Sequence, residues 1–463
     1  MSSAFAVRLT CAVFMLFFST FVNASAFGLI QQSTSGLGNY YAGSAATAED
    51  VSTIYFNPAG LTFMAPNAKQ LVISVVAIQL SARFHNSGSS MPQFISANAN
   101  DTGGDAGGHA YIPQLYFAAP ITERFQLGIG MSAPFGLRTE YSPNWLGRFR
   151  AVKSEVRTLN LNPSLAYRVT EDVSIGLGIN HQKIDAELSN AASVSGPLCA
   201  NLALAALCEA GLLNNLEAIG QVRGNDTAWG YNLGVIFHPV PSTRIGIAYR
   251  STIKYRVAGD VKFARPTVAP LGPITSEMSV GLNAAIASGL PNGPIYADIE
   301  LPDSLNFSIY QQISDQWEIM GDIGWMGWGK IQKLEFIRSD TGAALQSTPE
   351  NWRDSFRVGV GANYRLNDKW KLRGGLAFDQ SPIKDEFRTP RLPDKNRIWL
   401  SVGVQYKVGG NGVVDIGYAH LFAENPSIND GGDSAVSQAT SGLVNGSYKN
   451  ETRILGMQYT HSF

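Results

Sequence analysis

The sequence predicts an all-β protein: an antiparallel transmembrane β-barrel of about fourteen strands, plugged by its own N-terminal segment. Three observations carry this. In the final strand Leu455, Met457, Tyr459, His461 and Phe463 share one face, and Gly456, Gln458, Thr460 and Ser462 share the other. The same two-residue period recurs along most of the chain, often with charged residues opposite the apolar face. Charged residues make up only 15% of the chain, against roughly 25% in an average soluble domain. A strand facing oil on one side and a polar interior on the other carries this pattern.

Residues 1–26 read as a signal peptide. Arg8 supplies the positive end, Leu9 to Phe18 is apolar apart from Thr10, and small residues offer cleavage after Ala24 or Ala26. The second site is preferred and makes Phe27 the first mature residue. Beyond it no run approaches the ~18 apolar residues of a transmembrane helix; Leu71 to Leu80 is interrupted by Ser74 and Gln79. An exported protein of this kind is periplasmic, secreted or an outer-membrane barrel.

Residues 27–67 show no sustained strand pattern. They are rich in Gly, Ala, Ser and Thr, yet they also hold Phe27, Leu29, Ile30, Tyr40, Tyr41, Ile54, Tyr55 and Phe56. That is too much apolar surface for a disordered tail, so a hatch folded inside the lumen is expected. The barrel is then 68–463. Within it, Ile398, Leu400, Val402, Val404 and Tyr406 oppose Trp399, Ser401, Gly403, Gln405 and Lys407. Short turns such as Thr170-Glu171-Asp172 and Asn367-Asp368 alternate with long polar stretches near 86–109, 191–224, 262–297 and 425–447. Short periplasmic turns and long outer loops have this asymmetry.

Two cysteines remain after the signal, Cys199 and Cys208, in one expected loop. Export favours a disulfide, the alternative being two free loop thiols. They lack the second pair of ligands that zinc requires, and no metal or cofactor is expected. The same loop carries Leu202, Leu204, Leu207, Leu212, Leu213 and Leu216, which suits either apolar binding or packing against another loop. A net charge of -1 gives no sign of a nucleic-acid partner. No G-x-S-x-G block occurs and no histidine sits in a nucleophile setting, so an enzyme is not expected.

Ser33-Thr34-Ser35-Gly36-Leu37-Gly38, Ala42-Gly43 and Asn57-Pro58-Ala59 resemble the hatch of the outer-membrane long-chain fatty acid transporters (the FadL type). That family also includes aromatic-hydrocarbon channels. Ala248-Tyr249-Arg250-Ser251, Asn351-Trp352-Arg353-Asp354, Phe378-Asp379-Gln380-Ser381-Pro382 and Arg397-Ile398-Trp399-Leu400-Ser401 extend the resemblance in order over nearly the whole mature chain. It implies a 14-stranded barrel in the bacterial outer membrane that takes up hydrophobic compounds and releases them sideways into the membrane. Burying a methylene is worth about 0.8 kcal/mol, so an exit into lipid is the easier one. An aromatic or aliphatic hydrocarbon channel is the alternative, and a general porin the weaker rival.

Under that scheme Pro134 and Gly136, with Gly128 and Gly130 in the third strand, mark the lateral gate, because Pro cannot donate to a ladder. Asn57, Pro58 and Ala59 are expected to hold the hatch against that gate, and Phe27 to lie beside bound substrate. Lys153, Arg157, Arg353, Arg357 and Arg373 are candidate head-group contacts for a carboxylate. The fatty-acid members carry an arginine on the fifth strand where Asp185 stands here, which leaves uncharged hydrocarbons open. Expected partners are hydrophobic small molecules, outer-membrane lipid and lipopolysaccharide, and the barrel assembly machinery through the C-terminal strand. The protein is expected to be a monomer.

Overall fold

The computed structural model describes residues 26–65, 68–96, 101–431 and 434–463. The expected signal peptide lies outside the described residues apart from Ala26, and so do residues 66–67 of the expected hatch. Fourteen antiparallel strands form a closed barrel. Closure is made by the first strand, Gln70–Asn86, which pairs with the last, Val444–Ser462, along its whole length. The alternation read from the sequence sets the faces. Leu455, Met457 and Tyr459 point outward and are exposed, whereas Gly456, Gln458 and Thr460 point inward, and Gln458 and Thr460 are buried. Trp317 packs on Tyr364 and Trp370 on Tyr406 beside the short turns, as aromatic girdles do at a membrane interface.

Several strands run past the apolar belt. The fifth, Val173–Ser193, stays paired with the sixth, Glu217–Val240, up to Ser193 and Glu217. The loop drawn from the sequence at 191–224 is therefore shorter, Val194 to Leu216. Beyond the bilayer the outer face need not be apolar, so the oil-facing alternation stops while the ladder continues. Lys183 with Asp185 and Arg223 with Glu187 occupy that outer face instead.

At the loop end Cys199 and Cys208 are joined in a disulfide. Leu207 and Leu213 of this loop pack on Leu282 and Ile286 of an outer helix, Ser276–Gly289, whose N-cap Thr275 accepts from the Met278 amide. The leucine-rich loop thus covers another loop, although Leu202 is left 90% exposed.

The N-terminal residues fill the barrel as a chain of single turns, Leu37–Asn39, Ser44–Thr47, Thr53–Phe56 and Pro58–Phe63. Small wall residues make the fit possible. A Cβ added at Gly176, Gly246 or Gly375 would strike the backbone of Ala59, Ala45 or Asn39, so side chains are absent where the inner chain touches the wall. Polar bonds then fasten it around the circumference. Gln458 accepts from the Thr34 amide at 2.9 Å, Asn39 donates to Asn363 at 3.1 Å, and Thr62 bonds Ser174 at 2.7 Å. Arg168 and Arg244 donate to the Thr62 and Thr47 carbonyls.

The strongest tie is ionic. Arg373, 1% exposed, donates to Glu49 of the inner segment at 2.5 and 2.9 Å and to Asp415 of the wall at 2.8 Å. Lys371 adds a second cation to Glu49 at 3.0 Å. Breaking such a buried set leaves an uncompensated charge. Arg373→Met is expected to lower the unfolding free energy by about 3 kcal/mol, read as a lower urea midpoint of the purified barrel. An unchanged midpoint would mean that the trio is not what holds the inner segment.

Candidate functional site

The third strand is in two pieces, Phe125–Ser132 and Gly136–Glu140. Between the pairs Ser132–Asn160 and Gly136–Arg157 it carries one residue more than the fourth strand, Lys153–Arg168. The extra residue is a bulge, and it reverses which parity faces inward. Phe135 is thereby buried. Pro134, with no N–H, sits in the bulge. Thr158 repairs part of the break, accepting from the Phe135 amide at 2.9 Å and donating to its carbonyl at 2.8 Å.

The neighbouring strand shows the consequence. The second strand, Gly108–Pro120, pairs with the third only from Leu115–Met131 to Pro120–Gln126. Among the described residues its outer half pairs with the first strand alone, and Gly136–Glu140 pairs with the fourth alone. The wall has a window between these two edges. Toward the loops it is closed by backbone bonds from the Glu140 amide to the Ala106 carbonyl, 3.0 Å, and from the Ser142 amide to the Gly103 carbonyl, 3.1 Å.

The N-terminal arm lies in this window. The Leu29 amide donates to the Pro134 carbonyl at 2.7 Å, the Gly136 amide to the Phe27 carbonyl at 3.0 Å, and Gly28 bridges Phe135 in antiparallel register. The Phe27 ring stands among Trp328, Trp352 and Phe135 at centroid distances of 4.8, 5.9 and 6.0 Å. Both tryptophans belong to segments that leave the ninth and tenth strands and turn into the lumen. Trp352 also donates to Glu350 at 2.9 Å, a loop carboxyl that burial pushes up to about 7.

Beside the arm is a cavity of about 750 Å³ that reaches the window. Phe27, Leu29, Phe56, Ile78, Ile112 and Trp399 supply apolar wall, and its size is that of a pocket for one small organic molecule. Three inward arginines also line it. Arg357 is matched by Asp322 at 2.8 Å and Asn306 at 3.2 Å. Arg397 faces Asp394 at 3.6 Å and Asp379 at 3.9 Å; the loop carboxyl of Asp394 is pushed up to about 6 by burial, against the pull of Arg397. Arg250 differs. Its guanidinium lies 4.3 Å over the Tyr55 ring and donates to the Tyr55 carbonyl at 2.8 Å and to Asn180 at 2.5 Å. Among the described residues it meets no carboxylate.

The residues singled out in the sequence are scattered. Phe27, Pro134, Gly136 and Arg357 meet at the cavity. Arg157 reaches only its mouth: it shares the outward parity of Leu159 and Leu161, is 70% exposed and pairs with Glu155, so it is not a lumen group. Lys153 is held by Glu155 at 3.0 Å and Glu187 at 3.1 Å, Arg353 turns to the Ser381 carbonyl, and Arg373 lies under Glu49. These three are corrected from head-group candidates to framework. Asp185 faces outward as well and pairs with Lys183 at 2.8 Å, so it says nothing about the lumen.

Asn57, Pro58 and Ala59 are likewise not at the window. The Asn57 amide donates to the carbonyls of Ala45, Val235 and Ile247 at 2.7, 3.1 and 3.4 Å and accepts from the Ala59 amide at 3.1 Å. The segment rests on the fifth, sixth and seventh strands. Arg250 is not among the residues singled out in the sequence, because inside its motif it reads as one more lumen charge.

Comparisons with known proteins decide the family. A family described as outer membrane protein transport protein (OMPP1/FadL/TodX) matches residues 15–463. The chain belongs to this family. Its members are outer-membrane transport channels. The chain is 29% identical over 435 residues to a long-chain fatty acid transport protein of Escherichia coli O6:H1, covering 92% of this chain and 93% of that one. It is 31% identical over 433 residues to outer membrane protein P1 of Haemophilus influenzae, covering 89% and 88%. Among solved structures it shares the fold of a Pseudomonas aeruginosa FadL homologue, with TM-score 0.82, 21% identity and coverage of 94% and 99%. The Ralstonia pickettii toluene transporter TbuX gives TM-score 0.61, 20% identity and coverage of 94% and 100%.

Asn57 satisfies wall carbonyls away from the window, so a structural role is the one expected of it. Asn57→Ala is expected to cost about 1–3 kcal/mol of stability, seen as an earlier loss of heat-modifiable gel migration, with uptake per folded molecule unchanged. Loss of uptake at full stability would return this segment to the transport path.

Proposed function

We propose that this outer-membrane channel takes up long-chain fatty acids, seats the carboxylate at Arg250, and releases the molecule sideways through the window beside Pro134 and Gly136. One observation carries the reading: a guanidinium without a carboxylate partner faces an apolar cavity that reaches the window. A charge in such surroundings is costly unless paired, and a fatty-acid carboxylate supplies the counterion while its chain fills the apolar wall. Relatives named as long-chain fatty acid transport proteins support the same substrate class. The aromatic group around Phe27 favours the second reading, an uncharged hydrocarbon, for which Arg250 would be idle.

In this scheme residues 1–26 are the signal, 27–67 the hatch and 68–463 the barrel. Phe27 leaves its aromatic surroundings when substrate contacts favour another position of the arm. The outer face meets lipid and lipopolysaccharide, the last strand ending at Phe463 is offered to the barrel assembly machinery, and one chain closes its own wall as a monomer.

Arg250→Met separates the two substrate readings. Loss of a charged hydrogen bond is worth about 1.5–3 kcal/mol, so oleate affinity is expected to fall roughly ten- to hundredfold while binding of a hydrocarbon of like length stays the same. Equal behaviour of the two ligands rejects the carboxylate site. The window has its own test. Replacing Pro134 and Gly136 together by Val restores a donor and a side chain to the bulge, and is expected to slow uptake severalfold in a barrel that still shows heat-modifiable migration. Uptake at the wild-type rate removes the window from the route.

A further inference from the structure

The arm does more than lie in the window. We propose that Gln32 is the latch that holds it shut, its side-chain amide standing in for the strand residue that Ala133 lacks. This rests on the reading of the window as the exit.

The register places Pro113 opposite Ala133, so in a complete sheet the Ala133 amide could bond the Pro113 carbonyl, but the Ala133 carbonyl would meet no N–H. The ladder between those strands stops at Met131. Gln32 takes over both groups. Its Oε1 accepts from the Ala133 amide at 3.2 Å, and its Nε2 donates to the Ala133 carbonyl at 2.8 Å. A primary amide presents one donor and one acceptor side by side, as a peptide edge does, and so can close the same ring of hydrogen bonds. The remaining Nε2 hydrogen goes to the Leu29 carbonyl at 2.8 Å, which fixes the side chain to the arm it belongs to.

The other edge of the window is held from the same two residues. Tyr116 of the second strand donates to the Gln32 carbonyl at 2.8 Å, and Gln114 donates to the Gln31 carbonyl at 2.8 Å. Residues 31–32 therefore join the second strand to the third across the gap. Gln32 is completely buried, so water does not compete for these bonds. No other residue type matches the set. Glu loses the donor, Leu loses both groups, and Asn is a methylene too short. Opening the window past this point requires the amide to let go of Ala133, which makes Gln32 a positioning residue for release rather than a contact for substrate.

The test uses the full-length protein with Gln32→Leu and, as a variant of nearly unchanged shape, Gln32→Glu. Two quantities are read: hydrogen exchange of the Ala133 amide in the purified barrel, and entry of the hydrophobic dye N-phenylnaphthylamine into cells making the protein. Heat-modifiable migration verifies the fold of each variant. The expected result is faster exchange at Ala133 and dye entry raised about five- to tenfold for Gln32→Leu, with the same direction for Gln32→Glu. If Ala133 stays protected in both variants, Gln32 is not the latch. If protection is lost but dye entry does not change, the latch stands and the window is not the exit.

Discussion

A β-strand edge left open in lipid exposes donors and acceptors that hydrocarbon cannot satisfy. Over most of its wall this barrel meets that demand with a neighbouring strand, including the seam where the first strand meets the last. The interval after Ser132 departs from this, because Pro134 removes a donor and a bulge offsets the chain. There the missing partners are the Thr158 side chain of the fourth strand for Phe135 and, from inside, the backbone of Phe27 and Leu29 for Gly136 and Pro134, and Gln32 for Ala133. The position of the arm, the burial of Phe135 and the placing of the cavity beside the wall all follow from that local substitution.

Charge is distributed by the same logic. On the outer face, charged pairs such as Lys183–Asp185 and Arg256–Asp298 occur only where strands rise above the apolar belt. They are solvated and contribute little energy. Inside, each arginine is defined by its partners. Arg373 between two carboxylates is a fastener, and Arg357 with Asp322 is largely neutralised. Arg250, held by an amide oxygen and a carbonyl, keeps an unspent charge toward the cavity. Chemistry at this site is therefore decided by what surrounds each guanidinium, not by how many there are.

That distinction explains what was legible in the sequence. The period-two alternation, the aromatic final strand and the apolar but strandless N-terminal stretch were enough for a plugged barrel, because oil on one side imposes a strict pattern. Pro134 and Gly136 were readable as a break, since a ladder needs donors. Arg157 and Asp185 were misplaced because above the bilayer both faces are polar, so polarity no longer marks which face is outward although the parity continues. The bulge at Pro134 adds a reversal of parity that composition does not reveal. Asn57 was drawn toward the window as a residue able to bond freed backbone groups. It does bond carbonyls, but those of Val235 and Ile247, and only the folded arrangement says which.

The inner segment also divides mechanically. From Thr34 to Thr62 its bonds run to Gln458, Asn363, Ser308, Val235 and Ser174, which lie on strands all around the barrel. Displacing that body would break ties on many strands at once, including the buried Glu49–Arg373–Asp415 trio. The arm from Phe27 to Gln32 bonds the second and third strands alone among the described residues. Its release involves few bonds, all neutral, each worth about 1 kcal/mol. A ligand that binds one arm position better than another by a few such bonds is sufficient to shift the population, and the pinned body gives the arm a fixed base from which to move.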